Sequence, residues 1–367
     1  MTKSTIRSIA IAFLAVVLIA TEAVGKTVLV GTCLPNLQTY PTISQAVTAV
    51  VPGSTILVCP GTYPEQVTIT QPVTLRGVQS GNAASPVIKV PSGGLTKSVV
   101  APANGVVMFF QVLVQGTESG LVNISNIAVD GKSSLNQFLT GWVSGIYYQN
   151  SSGTVSHVAT YRQRGNGYGF GIFLEGTTAP AKTITVEDTS VHDFDSEAIR
   201  TNGSPTPSLT VNIVSNSVIS SNTFSGNPVY GGIDLQGSAG LVSNNRVITH
   251  PAPPGISPGV GIAFASNTVV SGNTVENWGI WGLGGSNVVK GNMVSLSSIT
   301  ASGSNNLVQY NLIFNGGGIN LSCDGNSNNV THNIINDVDV GITGVNGGDV
   351  VTPNSVSNVR IVSSQCS

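Results

Sequence analysis

Between Gly231 and Asn336 the chain says nearly the same thing five times: GGIDLQGSAGLVSNNRVI from Gly231, GVGIAFASNTVVSGNTV from Gly259, GIWGLGGSNVVKGNMV from Gly279, SITASGSNNLVQYNLI from Ser298 and GGINLSCDGNSNNVTHNII from Gly317. Each line places an Ile after a small residue (Ile233, Ile262, Ile280, Ile299, Ile319), makes a short polar turn, and closes on Val-x-x-Asn-x-Val/Ile. The closing asparagines are Asn245, Asn273, Asn292, Asn311 and Asn333. Their uneven steps match the period of one solenoid coil and are too irregular for a heptad or a helical pair. The apolar positions are Val and Ile in short runs such as Val269-Val270 and Val288-Val289. Branched residues in short runs between turns read as strands. Stacked coils set such strands side by side at roughly 4.8 Å, all parallel, with the inward Val and Ile in continuous columns. The repeated Asn suits a sharp left-handed corner, and its amide can bond the amides above and below.

The pattern extends upstream. Asn126, His157 and Asp188 anchor earlier copies at a constant step, and Asn222 stands one coil before Asn245. No linker or compositional break divides the chain, so one β-helix domain is expected over residues 26–367. At its head, Thr42 and Gln45 form a capping box for a helix over about 42–51, with Ile43, Ala46, Val47 and Val50 on one face before Pro52-Gly53. Such a helix would cover the open strand edges of the first coil.

These repeats resemble the pectin-lyase-like superfamily of right-handed parallel β-helices, in particular bacterial parallel β-helix repeat proteins. The stretch from Ser54 to Gly77 is similar to the opening coil of pectin methylesterases and NosD-type copper proteins, with Gly61, Tyr63 and Glu65 in the shared signature. Because that signature recurs across different chemistries, the three are read as a tight turn, a packed ring and a capped carboxylate. The expected fold is an all-β, single-stranded right-handed parallel β-helix of about ten coils with an N-terminal capping helix.

Composition narrows the function. Only 8% of the 367 residues are charged, the net charge is −2 and 44 residues are Gly. No basic surface is available for phosphates, so nucleic acid and anionic lipid are not expected partners. Lys3 and Arg7 precede an apolar run from Ile9 to Ala20. That run is too short to span a bilayer and reads as a signal peptide over residues 1–25. A secreted, periplasmic or cell-surface location follows, with no membrane span after cleavage and a monomer as the expected state. In an oxidising compartment four cysteines favour disulfides. Their placement near the two ends pairs Cys33 with Cys59 and Cys323 with Cys366.

Charge is densest from Arg162 to Arg200. Asp188, His192, Asp193, Asp195, Glu197 and Arg200 are the candidate catalytic residues, with Arg162 and Arg164 as candidate binding residues. Carboxylates beside an Arg suit binding and proton transfer on sugar units. The plainer alternative is a set of cross-strand ion pairs, Arg162 with Asp193 and Arg164 with Asp195, from the constant register of these upstream coils. Trp278 and Trp281 bracket two residues and so point to opposite faces, offering one ring for sugar stacking. The catalytic motifs of polygalacturonase-like hydrolases, pectin methylesterases and pectate lyases are absent, so no catalytic residue is carried over from them. The Gly255-Ile-Ser257-Pro258-Gly259 stretch fails as a nucleophile elbow, since Pro258 has no backbone N–H. The four His residues show no metal-ligand spacing, so no cofactor is expected, and calcium has no motif to hold it. Interaction with extracellular polysaccharide is the expected function, by a lyase or glycoside hydrolase if the protein is an enzyme. The alternative is a non-catalytic structural or adhesive surface protein.

Overall fold

The computed structural model describes residues 24–79, 84–117, 120–132, 140–165, 167–203, 209–220, 231–250 and 259–366. All but the last two residues of the expected signal peptide, the Asn222 anchor and Ser257 lie outside that set.

Each full coil supplies three short strands, and over most of the chain a strand pairs in parallel with its counterpart three strands later. Among the described residues the first face is a 13-stranded sheet. The second and third faces run together into one larger sheet. The described pairings are parallel except where Ser98–Val100 folds back antiparallel on Val107–Gln115. No described helix is long and apolar enough to cross a membrane.

The Ile positions of the repeat stack as read. Ile233, Ile262, Ile280, Ile299 and Ile319 occupy successive rungs of one column. Register carries this column on to Ile342 and back through Ile199, Ile172, Ile146 and Val112 to Val67. All are buried in the main core. Removing a side chain of this size from the water is worth roughly 1.5–3 kcal/mol per rung.

The closing asparagines form a ladder, longer than the repeat alone suggests. The side-chain amides of Asn216, Asn245, Asn273, Asn292 and Asn311 each donate to the next Asn oxygen at 2.9–3.0 Å. Asn333 continues the run to Asn354 at 3.0 Å. The same oxygens accept the backbone N–H of the Asn one coil back, and each amide's second hydrogen goes to a strand carbonyl such as Val270 O. The left-handed conformation falls one residue earlier than expected, on Asn244, Gly272, Gly291, Tyr310 and His332. Asn126, His157 and Asp188 share it, with φ of 56°, 53° and 47°, so they align with Asn244 and not with the ladder. Upstream, Thr189 takes the ladder position, its N–H donating to Asn216 at 3.0 Å. A second ladder, Asn287 to Asn306 to Asn328, crosses another corner at 3.1 Å per step. The rungs of the first ladder thus satisfy buried polar groups that the corners would leave orphaned.

At the head, α1 (Ile43–Ala49) is capped by Thr42, which accepts from Gln45 N. Ile43, Ala46 and Val47 join the coil core. Glu65 reaches over to cap it as well, accepting from Ile43 N and Ser44 N, both at 2.9 Å. Tyr63 donates to Cys59 O at 2.8 Å. Tyr63 and Glu65 of the opening coil's signature thus hold the structure together, Glu65 by capping the helix. Both disulfides are present, Cys33–Cys59 and Cys323–Cys366, each with Cα atoms 5.7 Å apart. Two such bridges fit an extracellular or periplasmic setting.

Replacing Asn292 with Leu deletes the acceptor for Asn273 N and the donor to Val270 O and Asn311. With about 1–3 kcal/mol at stake for each buried group left unpaired, a loss of at least ~3 kcal/mol is expected. Urea unfolding measures it, with Asn320→Ala on the exposed surface as the control expected within about 0.5 kcal/mol of wild type. Equal midpoints for the two variants would contradict the ladder's role.

Candidate functional site

Strands alternate their side chains, so the residue after each core Ile on the third face points outward. That outward column runs Leu113, Tyr147, Phe173, Arg200, Asp234, Ala263, Trp281, Thr300 and Asn320. It changes character along its length: apolar and aromatic at first, then charged, then small, then aromatic, then polar. The first three members are buried beneath an outer cluster with Met108, Phe110 and Phe170. Glu175, on the neighbouring outward position, accepts from the Tyr147 hydroxyl and from Ala103 N at 2.8 Å, pinning the Ser98–Val100 hairpin over this cluster. Burial raises the Glu175 carboxyl's pKa, with the Tyr147 and Ala103 hydrogen bonds opposing.

Where the aromatic cluster ends, a cleft of about 340 Å³ opens. Its lining is Trp142, Tyr168, Ser196, Glu197, Arg200, Asp234, Gln236, Val260, Ala263, Trp281 and Leu283. Arg200 and Asp234 are register partners on adjacent rungs. The Arg200 guanidinium donates from Nη1 to Glu197 Oε1 at 2.8 Å and lies 3.8 Å from Asp234 Oδ2. Its Nη2 donates to Gln236 Oε1 at 2.9 Å, and Gln236 Nε2 in turn donates to Asp234 Oδ2 at 2.9 Å. The Ser196 hydroxyl donates to the other Glu197 oxygen. The guanidinium also sits 5.4 Å from the Trp142 ring centre and 5.8 Å from that of Phe170. Trp142 stacks on Tyr168 at 5.7 Å. One cation is therefore fixed by two carboxylates, an amide and two aromatic faces.

The carboxyls are perturbed. Burial pushes Glu197 up to about 7, against the pull of Arg200 and the Ser196 hydroxyl, with Asp234 adding to the rise. Burial also raises Asp234, opposed by Arg200 and the Gln236 amide. Glu197, held this way, is matched to proton transfer near neutral pH.

Of the ten candidates, Glu197, Arg200 and Trp281 meet in this cleft. Trp281 is 46% exposed, whereas Trp278 is 1% exposed and belongs to the core, so it presents no stacking face. The other candidates sit on the second face or its corners. His192 stacks flat on Tyr161 at 5.2 Å. Asp188 lies 3.8 Å from His157 at an exposed corner. The constant upstream register holds, since Tyr161 pairs with His192 and Gln163 with Phe194. Arg162 nevertheless pairs with Asp130 one coil earlier, and Asp193 takes Arg164 at 2.5 Å. Left-handed backbone at both Arg162 and Asp193 redirects their side chains out of the simple rung. Asp195 is turned inward, where Oδ2 accepts from Gly165 N at 2.9 Å and Gly167 N at 3.3 Å. Asp234, Gln236, Trp142 and Tyr168 were not singled out by sequence reasoning. The signal for Asp234 was present: it follows Ile233 directly, so alternation alone places it on the outer face. Among the described residues no group of three or more His, Cys, Asp or Glu could hold a metal ion.

No known protein family matches this sequence, and no curated protein does. Solved structures match the fold. The lacto-N-biosidase of GH136 from Eubacterium ramulus superposes with a TM-score of 0.63 at 12% identity, over 92% of this chain and 68% of that one. The Dettilon tailspike protein gives 0.56 at 14% identity, over 84% of this chain and 62% of that one. The DFA-IIIase of Arthrobacter chlorophenolicus, without its lid and in complex with GF2, gives 0.53 at 15% identity, over 90% of this chain and 98% of that one. The chain is thus a right-handed parallel β-helix.

Since burial raises Glu197 in the folded state from 4.5 to about 7, the residue favours folding while protonated. That contribution is complete below about 4.5 and is lost as pH rises through about 7. Relative to a Glu197→Gln variant, the wild-type unfolding free energy should fall over that window by an amount on the order of 3 kcal/mol. Urea unfolding at intervals from pH 4 to 8 tests it; a difference that stays flat with pH contradicts the assignment.

Proposed function

We propose that this protein binds a polysaccharide or oligosaccharide of neutral pyranose units in the cleft above Arg200 and Asp234. The observation that carries the reading is the Glu197–Arg200–Asp234–Gln236 cluster, bordered by Trp142, Tyr168 and the half-exposed Trp281. Sugars offer hydroxyls to fixed polar groups and C–H faces to aromatic rings, and this lining supplies both. Ala263 stands between Asp234 and Trp281 on the intervening rung, so its small side chain leaves the floor open there. Likeness of fold is not the ground for this reading, since one fold hosts unrelated functions.

Charge sets the class of sugar. One guanidinium is shared between two carboxylates, and the other lining residues are uncharged. The site is neutral or singly negative depending on Glu197, which disfavours uronate chains. A purely structural rod has no use for such a cluster, because taking ionised groups out of water is costly unless they serve a purpose beyond packing.

Titration calorimetry of the full chain against neutral oligosaccharides and oligouronates at pH 6 and 8 tests the reading. At least one neutral ligand should bind, and Trp281→Ala should weaken it about tenfold, equivalent to ~1.4 kcal/mol. Retention of no neutral glycan, or preference for oligouronates, overturns the proposal.

A further inference from the structure

We propose that Glu197 and Asp234 are a catalytic pair that cleaves a glycosidic bond with retention of anomeric configuration, Glu197 as the acid and Asp234 as the nucleophile. The inference rests on the cleft being a saccharide site, and it adds a reaction to that reading.

Geometry decides the stereochemistry. Arg200 Nη1 is 2.8 Å from Glu197 Oε1 and 3.8 Å from Asp234 Oδ2, so those two oxygens stand no farther apart than the two distances laid end to end. Carboxyl pairs that retain configuration stand about 5–5.5 Å apart, and pairs that invert stand about 6.5–9.5 Å apart to admit a water between them. The bound, reached only if the three atoms are collinear, holds this pair to the foot of the inverting range or below it. So close a pair leaves little room for a water between Asp234 and the anomeric carbon, which favours direct attack by that carboxylate.

The two acids are also differentiated. Glu197 is 1% exposed, at the inner edge of the cleft, and its Oε2 accepts from the Ser196 hydroxyl. Asp234 projects from the middle of its strand, and its Oδ2 accepts from the Gln236 amide. Burial favours the protonated form of Glu197, as a general acid requires. Arg200 touches both and acts as a positioning residue, with Trp142 and Phe170 holding its plane. Beyond Asp234, the Ala263 gap and Trp281 accept the sugar ring on the next two rungs, roughly 9.6 Å along the stack.

The step balances without a cofactor. An Asp234 oxygen forms a bond to the anomeric carbon as the glycosidic C–O bond breaks, and the departing oxygen takes the bond's electron pair and the Glu197 proton. Water then attacks the anomeric carbon and gives its proton to the Glu197 carboxylate. The C–O bond to Asp234 breaks and returns its electron pair to that carboxylate. One water is consumed per bond cleaved.

The test uses 2,4-dinitrophenyl 2-deoxy-2-fluoro glycosides of glucose, galactose, mannose and xylose, whose leaving group departs without a proton. At least one should release one equivalent of dinitrophenolate and leave its fluorosugar on Asp234, read by peptide mass spectrometry. Glu197→Gln should keep that labelling yet lose about 10²–10⁴-fold in rate on an unactivated oligosaccharide. Asp234→Asn should lose labelling while still binding the oligosaccharide. No label on Asp234 from any glycoside, in protein that binds a neutral oligosaccharide, overturns the catalytic pair and leaves the binding function standing. A product of inverted configuration by proton NMR overturns retention. Absence of all saccharide binding removes both.

Discussion

Parallel, in-register stacking of one coil on the next is the constraint on which everything else here depends. Each strand's backbone bonds are met by the coils above and below, so a residue's lateral neighbours are one coil away in sequence, not next to it. A single choice of residue therefore becomes a column. Ile at the inner position of the third face yields an unbroken hydrophobic seam from Val67 to Ile342, and Asn at one corner yields a chain of amides in which every donor has an acceptor. The ladder matters because the corners are sharp: left-handed residues such as Gly291 and Tyr310 turn the backbone and would otherwise strand buried polar groups.

Against that regularity, the cleft is the place where a column departs from its own rule. Downstream the third face advances by short coils, as from Ala263 to Trp281 and on to Thr300. Upstream the coils are longer, as from Phe173 to Arg200, and longer still from Arg200 to Asp234. Trp142 and Tyr168, which come from the longer upstream coils, line the cleft with the guanidinium. The site thus lies where long coils give way to short ones, walled on one side by the aromatic cluster and open on the other. Two charged residues on neighbouring rungs are held about 4.8 Å apart by backbone geometry before any side-chain contact is made.

Much of the fold was legible because periodicity is a property of the sequence itself. The Ile column, the downstream ladder, both disulfides and the helix cap at Thr42 follow from spacing and residue type. Errors arose where the period changed. Asn126, His157 and Asp188 looked like ladder members because they sit at a comparable distance before Val and Ala, but they are the left-handed residues one place earlier. For the site, clustering of charge along the chain was a partial guide. It captured Glu197 and Arg200, yet it also drew in Asp193 and Asp195, which face other corners and serve Arg164 and the backbone N–H groups of Gly165 and Gly167. Asp234 was missed because no other charged residue stands near it in sequence; its charged partners arrive one coil away.

Such a site persists in a chain with so little charge because its members are brought together from neighbouring rungs. An ion buried singly is expensive, and a network is tolerated only when every member is satisfied. Arg200 spans two rungs, offsetting the charge of Glu197 along its own strand and of Asp234 on the next. Neither strand alone carries a stable cluster, and the stack creates it. The rungs on both sides are locked by the core column and by the amide ladder, so the cluster inherits their stiffness. Pre-set placement of charge at a cost in solvation is what a binding or catalytic surface requires, and the solenoid supplies it by repeating everything else.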